Sequence, residues 1–331
     1  MTWSSEPAGF DFVALYAAAR LVATGHGPLV TDPAALLAAE HAALPGAVFE
    51  DPIRITKNLP ALAVVMAPFG ALSIEAAYAA MLTLGVIAFI SSAMLLAPLV
   101  AREQRWRAFA FALLAPTSLI ALVEGQTSPF ALLAIAGSLR APPFWSGALL
   151  GLIALRPQLL PLFALVAITE RRRAIGFVAA AGLVVLVSFL AAGVEGMARY
   201  PAILGLAATE LRPGELGLAA LVRRVISGDD LALNTGLALA IYAIAAGAVL
   251  LRSRVFATRG VDASLWSILA APHALMHDGV MAYPALARAG TTTRATAVWI
   301  GSGLVVALVH EAGIPVAPLW LLALWFWGRG L

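Results

Sequence analysis

From Ile74 to Val100 the chain carries a single charged residue, Glu75, and from Ala174 to Gly193 it carries none. Runs of this length match the roughly 20 residues a helix needs to cross a bilayer core. In lipid every backbone polar group must be satisfied internally, so such runs cannot be irregular. The remaining composition agrees. Of 331 residues, 62% are hydrophobic and 12% charged, where a soluble domain carries about 25% charged residues. These numbers define an all-α polytopic membrane protein, read as one integral membrane domain over residues 1–331. Cysteine is absent, which excludes a disulfide framework and thiol chemistry. The net charge of +3 is scattered in short arginine clusters, a topology signal rather than a nucleic-acid surface.

In chain order, residues 10–24 read as an amphipathic helix lying at an interface, with Phe12, Leu15, Tyr16, Ala19 and Val22 on one side. Gly25-His26-Gly27-Pro28 ends it. A short helix is expected after Thr31-Asp32-Pro33, with Asp32 or Thr31 as cap and Pro33 in the first turn. Leu59–Leu72 is apolar, and Ile74–Val100 is the first full-length span. Further apolar segments run at 108–123, 128–139, 144–155, 158–169, 174–193, 234–251, 263–272, 279–287, 296–310 and 314–327. Several are too short to cross alone at about 1.5 Å per residue. The pairs 144–155/158–169 and 263–272/279–287 each break at a polar corner and are flanked by arginine. Both are expected to dip in and return as broken or re-entrant helices.

Placing Arg102, Arg105, Arg107, Arg140, Arg171–Arg173, Arg259 and Arg288 on the cytoplasmic side satisfies the positive-inside rule. It leaves most of the acids, and every polar corner, on the other side. Residues 1–58 then form a first extracytoplasmic loop and 194–233 a second. Residues 59–193 and 234–328 hold the membrane helices. Within the second loop, residues 217–226 are expected to lie on the membrane surface.

Five corners carry residues that are costly in a membrane. Asp11 sits in a helix first turn, either as a macrodipole partner or as a functional carboxylate. Lys57 is the only lysine. It suits a phosphate oxygen, or it snorkels to the interface. Asn58 follows it. Glu124-Gly125-Gln126-Thr127 is a polar turn between spans. Arg156-Pro157-Gln158 interrupts an apolar stretch, where a central charge costs about 2.5–3.5 kcal/mol; it requires a partner, a wet cavity or a turn that reaches water. His273 and His277 are spaced i, i+4 with Asp278 beside the second. Without a matching third ligand in sequence, a polar network touching phosphate is preferred over a metal site. Asp229-Asp230 reads as a cap for the next helix.

In this order the corners resemble glycosyltransferase family 87, membrane enzymes of the C type that use polyprenyl-phosphate sugars. The family's Asp-Phe-x-x-x-Tyr-x-Ala-Ala helix is matched by Asp11-Phe12 to Tyr16-Ala17-Ala18. Its polar-Asn-x-Pro entry is matched by Lys57-Asn58-Leu59-Pro60, and its Gly-Gln turn by Gly125-Gln126. Its basic-Pro-Gln corner is matched by Arg156-Pro157-Gln158, and its Pro-His…His-Asp stretch by Pro272-His273 and His277-Asp278. The resemblance runs from about residue 9 to about residue 290. It also implies a membrane span ahead of the Asp11 helix, which these residues do not contain.

The resemblance implies transfer of a hexose, typically mannose, from a polyprenyl-phosphate donor to a lipid- or glycan-linked acceptor. Asp11 would be the general base of an inverting displacement. Lys57, Asn58, Gln126, Arg156, Gln158, His273, His277 and Asp278 would bind the donor phosphate or substrate. No metal or other cofactor is expected, and no nucleic acid. The expected location is a bacterial inner membrane with the site facing the periplasm. The alternative reading of the same broken helices is a transporter or flippase of a lipid-linked or polar solute.

Overall fold

The computed structural model describes residues 10–45, 57–100, 102–209, 216–223, 231–252, 254–271, 274–285, 318–321 and 323. His273, Asp229, Asp230 and the segments 296–310 and 324–327 lie outside the described residues. Among those described, the chain is helical with no strand. The first helices are α1 (Phe10–Ala23), α2 (Pro33–Ala43), α3 (Ala61–Gly70), α4 (Ile74–Leu96), α5 (Arg105–Leu114), α6 (Pro116–Val123) and α7 (Ser128–Ser138). They are followed by α8 (Pro143–Gly151), α9 (Leu160–Ala167), α10 (Arg171–Thr209), α11 (Leu218–Val222), α12 (Leu231–Arg252) and α13 (Phe256–Ala270). Short 3₁₀ turns occupy Leu152–Leu155, Pro157–Leu159 and Met276–Ala282.

Among the described residues, three stretches are long and apolar enough to cross a membrane: Ile74–Leu99, Arg171–Leu204 and Leu233–Leu251. Their outer faces carry exposed Met94, Val178, Leu190, Leu239 and Ile244, the pattern of helices solvated by lipid. Ser73 caps α4 by accepting from Ala76 N–H at 3.3 Å. Asp32 caps α2 through Ala34 and Ala35 N–H at 3.0 and 3.1 Å, with Pro33 in the first turn. Both caps follow from local sequence.

The two arms of the first hairpin are short. Pro143–Leu155 spans about 20 Å at helical rise, well under a bilayer core of about 30 Å. Arg156 sits at the corner where these two short apolar arms meet. Arginine collects at the other end of the bundle. Arg140 and Arg105 donate to Leu95 and Ala97 carbonyls at the C-terminus of α4, at 2.9 and 3.1 Å. Arg259 donates to Leu250 O near the end of α12 at 3.2 Å. Arg173 pairs with Glu170 at 2.9 Å and covers the Phe256 ring at 3.5 Å. Cations at helix C-termini satisfy the last carbonyls and the macrodipole together.

Two expectations need correction, on α1 and on 217–226, and one apolar run divides. The α1 helix is not one-sided: Phe12 to Ala19 are all buried. The alanines let neighbours close in on the other face. Gly70 packs so near Ala19 that a Cβ there would lie 2.6 Å from its backbone, and Tyr16 donates to Leu72 O at 2.7 Å. The apolar run 108–123 is two helices, because Pro116 cannot donate a helical hydrogen bond and holds Ala115 extended. Finally, the piece expected on the membrane surface at 217–226 is packed inward where it is described. Leu216 N–H donates to Ala274 O at 2.6 Å, and Leu216, Ala219, Ala220 and Arg223 are buried. The lack of a side chain at Gly217 permits this close approach to Ala271. In the same region, residues 194–209 continue α10 as helix beyond a kink at Gly193 (φ 68°, ψ 177°).

Candidate functional site

The site forms at the end of the bundle opposite the arginines. Asp11 lies in the first turn of α1, which is held by α2, α3 and the Phe12–Tyr78 ring contact at 5.6 Å. The α6–α7 turn presses against the same helix. Gly125 has φ +62°, and a Cβ there would stand 2.8 Å from Phe12 Cβ. Only glycine meets both demands at no steric cost. The turn thereby delivers Gln126, whose Nε2 donates to Asp11 Oδ2 at 2.6 Å. This is a fixed donor on one carboxylate oxygen, and it orients the other.

One step along, Ser128 opens α7. Its Oγ accepts from Arg156 Nη1 at 2.6 Å and donates to Asp278 Oδ1 at 2.9 Å. Arg156 Nη2 meets the same Asp278 oxygen at 2.5 Å, and both side chains are buried, 6% and 2% exposed. Pro157 breaks the helix at Arg156, which sits at φ −123°, ψ 77° between two 3₁₀ turns. Asp278 is in turn fixed from its own loop: Leu275 N–H donates to Oδ2 at 3.2 Å. Burial alone would raise the Asp278 carboxyl. Arg156, His277, Ser128 and the Leu275 N–H together outweigh it and hold the group below the ordinary carboxylate range.

His277 is buried beside this pair, with Nε2 3.5 Å from Asp278 Oδ1. Its pKa is lowered, by burial first, so the ring is neutral at pH 7. The charges of Asp278, Arg156, Asp11 and Lys57 all reach it. The pairing expected between His277 and Asp278 is therefore secondary. Arg156 is the main partner of Asp278, because a guanidinium at 2.5 Å with full charge outcompetes a neutral ring at 3.5 Å.

Lys57 and Asn58 enter from the side. Leu59 N–H donates to Leu155 O at 3.2 Å, placing this segment along the residue before Arg156. Tyr200, beyond the α10 kink, clamps the Lys57 carbonyl at 2.9 Å, and Ser188 accepts from Ala61 N–H at 3.0 Å. The Gln158 carbonyl accepts from Tyr242 at 2.7 Å, while its side-chain oxygen is buried with no hydrogen-bond partner. Asp11, Lys57, Gln126, Arg156, His277 and Asp278 thus gather in one place. Gln158 stands on the flank, and His273 lies outside the described residues. Among the described residues no three His, Asp or Glu side chains cluster as a metal site.

Reading residues in order missed Ser128. It precedes Pro129 at a helix start, which looks like capping, and nothing local reveals that its hydroxyl joins Arg156 to Asp278.

Buried acid–base groups at one end of short broken helices, with arginines at the other end, define a polytopic membrane protein with a polar site sunk below one face. The model of glycosyltransferase family 87 matches residues 59–277. The chain belongs to that family and is a membrane glycosyltransferase. The match takes in Gln126, Arg156, Gln158, His273 and His277, and stops beside Asp278; Asp11, Lys57 and Asn58 lie outside it. No curated protein and no solved structure matches the chain.

Proposed function

We propose that this glycosyltransferase moves a hexose, mannose by family resemblance, from a polyprenyl-phosphate donor to a lipid- or glycan-linked acceptor. The reaction takes place on the extracytoplasmic face of a bacterial inner membrane. The observation that carries this reading is the Gln126–Asp11 hydrogen bond of 2.6 Å. It fixes a carboxylate in the same polar cluster as Lys57, Arg156 and His277.

The chemistry follows from the groups present. The acceptor hydroxyl oxygen forms a bond to C1 of the donor sugar as its proton passes to the free oxygen of Asp11. The bond from C1 to the phosphate oxygen breaks, and the lipid phosphate leaves with the electron pair. One displacement inverts the anomeric centre. The charge that develops on the phosphate is met by preorganised donors on Lys57 and Arg156. Asp278 and Ser128 hold the Arg156 guanidinium so that it need not reorganise. Neutral His277 is suited to donate a hydrogen bond to the phosphate or the sugar. The arginine-lined end faces the cytoplasm, with 1–58 and 194–233 on the other side.

The test is transfer from radiolabelled polyprenyl-phosphate-mannose into a lipid extract by purified protein in nanodiscs. Asp11→Asn should lower transfer about 10²–10⁴-fold, the range for loss of a general base. Equal transfer by wild type and variant removes Asp11 from the mechanism.

A further inference from the structure

We propose that Tyr200 is a positioning residue for Lys57. The half of α10 beyond the Gly193 kink pins the backbone at Lys57, and so keeps the only lysine of the chain on the polar cluster instead of letting it snorkel to the interface. The inference rests on the role given to Lys57 above and adds what holds that residue in place.

A lysine ends in a compact charge on a flexible four-carbon stem. Near a membrane the stem ordinarily carries that charge out to water. Serving one fixed place therefore requires a fixed backbone. Three bonds supply it between Lys57 and Ala61. Tyr200 donates to the Lys57 carbonyl at 2.9 Å, Leu59 N–H donates to Leu155 O at 3.2 Å, and Ala61 N–H donates to Ser188 Oγ at 3.0 Å. The middle bond ties the segment to the residue before Arg156. The outer two come from α10, one from each side of its kink. The charge of Lys57 is felt at His277, which puts it within the cluster.

The kink is what allows one helix to grip both ends of so short a segment. On a straight helix, residue 200 would stand about 18 Å along the axis from residue 188 and about 120° around it. Five residues span at most about 14 Å from first Cα to last. The bend at Gly193 turns the second half of α10 so that Ser188 and Tyr200 reach the same segment. Gly193 sits at φ 68°, ψ 177°, a conformation essentially open to glycine alone. A Cβ there would meet nothing within 4 Å, so torsion and not space demands the glycine.

Beyond the kink the half-helix is itself held. Arg199, beside the tyrosine, pairs with the α2 cap Asp32 at 3.2 Å. Tyr200 and Ile203 pack in one apolar cluster with Leu36 and Leu59. The Tyr200 ring is buried, so its hydroxyl needs an internal acceptor. It takes the carbonyl of Lys57 and not one of its own helix. Phenylalanine would serve the packing equally well; the hydroxyl is the part that acts on Lys57.

Because Lys57 is the only lysine, the full chain in dodecyl maltoside can be reductively methylated with ¹³C-formaldehyde to give one side-chain dimethylamine resonance, its positive charge kept. The α-amino group titrates at about pH 8 and is told apart by that. A free lysine exchanges rotamers in ps–ns and gives a narrow line. The wild-type line should be broader and displaced from that of a free dimethyl-lysine. Tyr200→Phe should move it to the free position and narrow it, and Gly193→Ala should move it in the same direction with the tyrosine intact. Ser188→Ala, which releases Ala61 only, should leave it in place. Transfer from polyprenyl-phosphate-mannose should lose about 2–10-fold in kcat/KM with Tyr200→Phe, the worth of one hydrogen bond. In a Lys57→Gln background the same change should cost nothing further.

A wild-type resonance already at the free position overturns the proposal. So does one that Tyr200→Phe leaves unmoved, or that Ser188→Ala moves as far. A loss of transfer equal in the Lys57→Gln background makes the tyrosine merely structural, and also overturns it. Resonances that behave as described in a protein that transfers sugar from no polyprenyl-phosphate donor would sink the functional reading and leave the Tyr200–Lys57 assignment standing.

Discussion

Asp278→Asn is the most informative single perturbation of the charged cluster. Asp278 receives Arg156 Nη2 at 2.5 Å and Ser128 Oγ at 2.9 Å on one oxygen, and Leu275 N–H at 3.2 Å on the other. Asparagine preserves the shape and one acceptor oxygen. It replaces the second acceptor with an N–H₂ group and removes the charge. Arg156, buried at 5% exposure, then keeps a positive charge with no compensating anion. Breaking one side of a buried pair costs about 3–5 kcal/mol. At about 2–4 °C per kcal/mol for a chain of a few hundred residues, the melting temperature should fall by roughly 6–20 °C. Thermal unfolding of purified protein in detergent, followed by circular dichroism, reads this directly.

The double variant Arg156→Met/Asp278→Leu removes both charges and should recover most of the loss, since apolar replacement of a whole buried pair is often neutral or better. It should still transfer no sugar if Arg156 meets the donor phosphate. An unchanged melting temperature for Asp278→Asn would refute the buried-pair account. A double variant no more stable than the single one would place the cost in packing instead of charge.

Gly125→Ala should destabilise by about 1–3 kcal/mol, because φ +62° disfavours a side chain and the new Cβ would meet Phe12 at 2.8 Å; it should also cut transfer by displacing Gln126. Gln126→Leu should fold normally and lower kcat more than it raises KM, as steady-state transfer kinetics would show, because it frees Asp11 without altering the contacts among Arg156, Ser128 and Asp278. His277 has a depressed pKa. Between about pH 6.5 and the lower folded value, the unfolded chain binds a proton that the folded chain does not, so stability falls as pH drops through that window. His277→Gln should flatten the fall in melting temperature between pH 7 and 5. Asp278, held low, stays ionised across the same range.

Local signals in the sequence carried the class and much of the scaffold. Ile74–Val100 reads as a span because hydrophobicity over about 20 residues is enough to place a helix in lipid. Asp32 and Pro33 announce the start of α2 because capping acts within three residues. Arg105, Arg140, Arg173 and Arg259 mark one end of the bundle by composition and position. The failures came where packing outranks pattern. The Phe12–Ala19 stretch looked one-sided because alanine says little about which faces neighbours will cover, and Gly70 brings α3 onto its second face.

What the chain determined alone was a helical membrane protein, its crossing segments, the arginine-rich side and the costly polar corners that required explanation. Their partners were decided only in three dimensions. Gln126 finds Asp11 across 115 positions, and Ser128 finds Asp278 across 150. Hydrophobic periodicity and capping report on neighbours within a few turns. They are silent on which distant backbone will carry a matching charge. That pairing is selected by desolvation: a buried Arg156 is tolerated only in a fold that brings Asp278 and Ser128 to it.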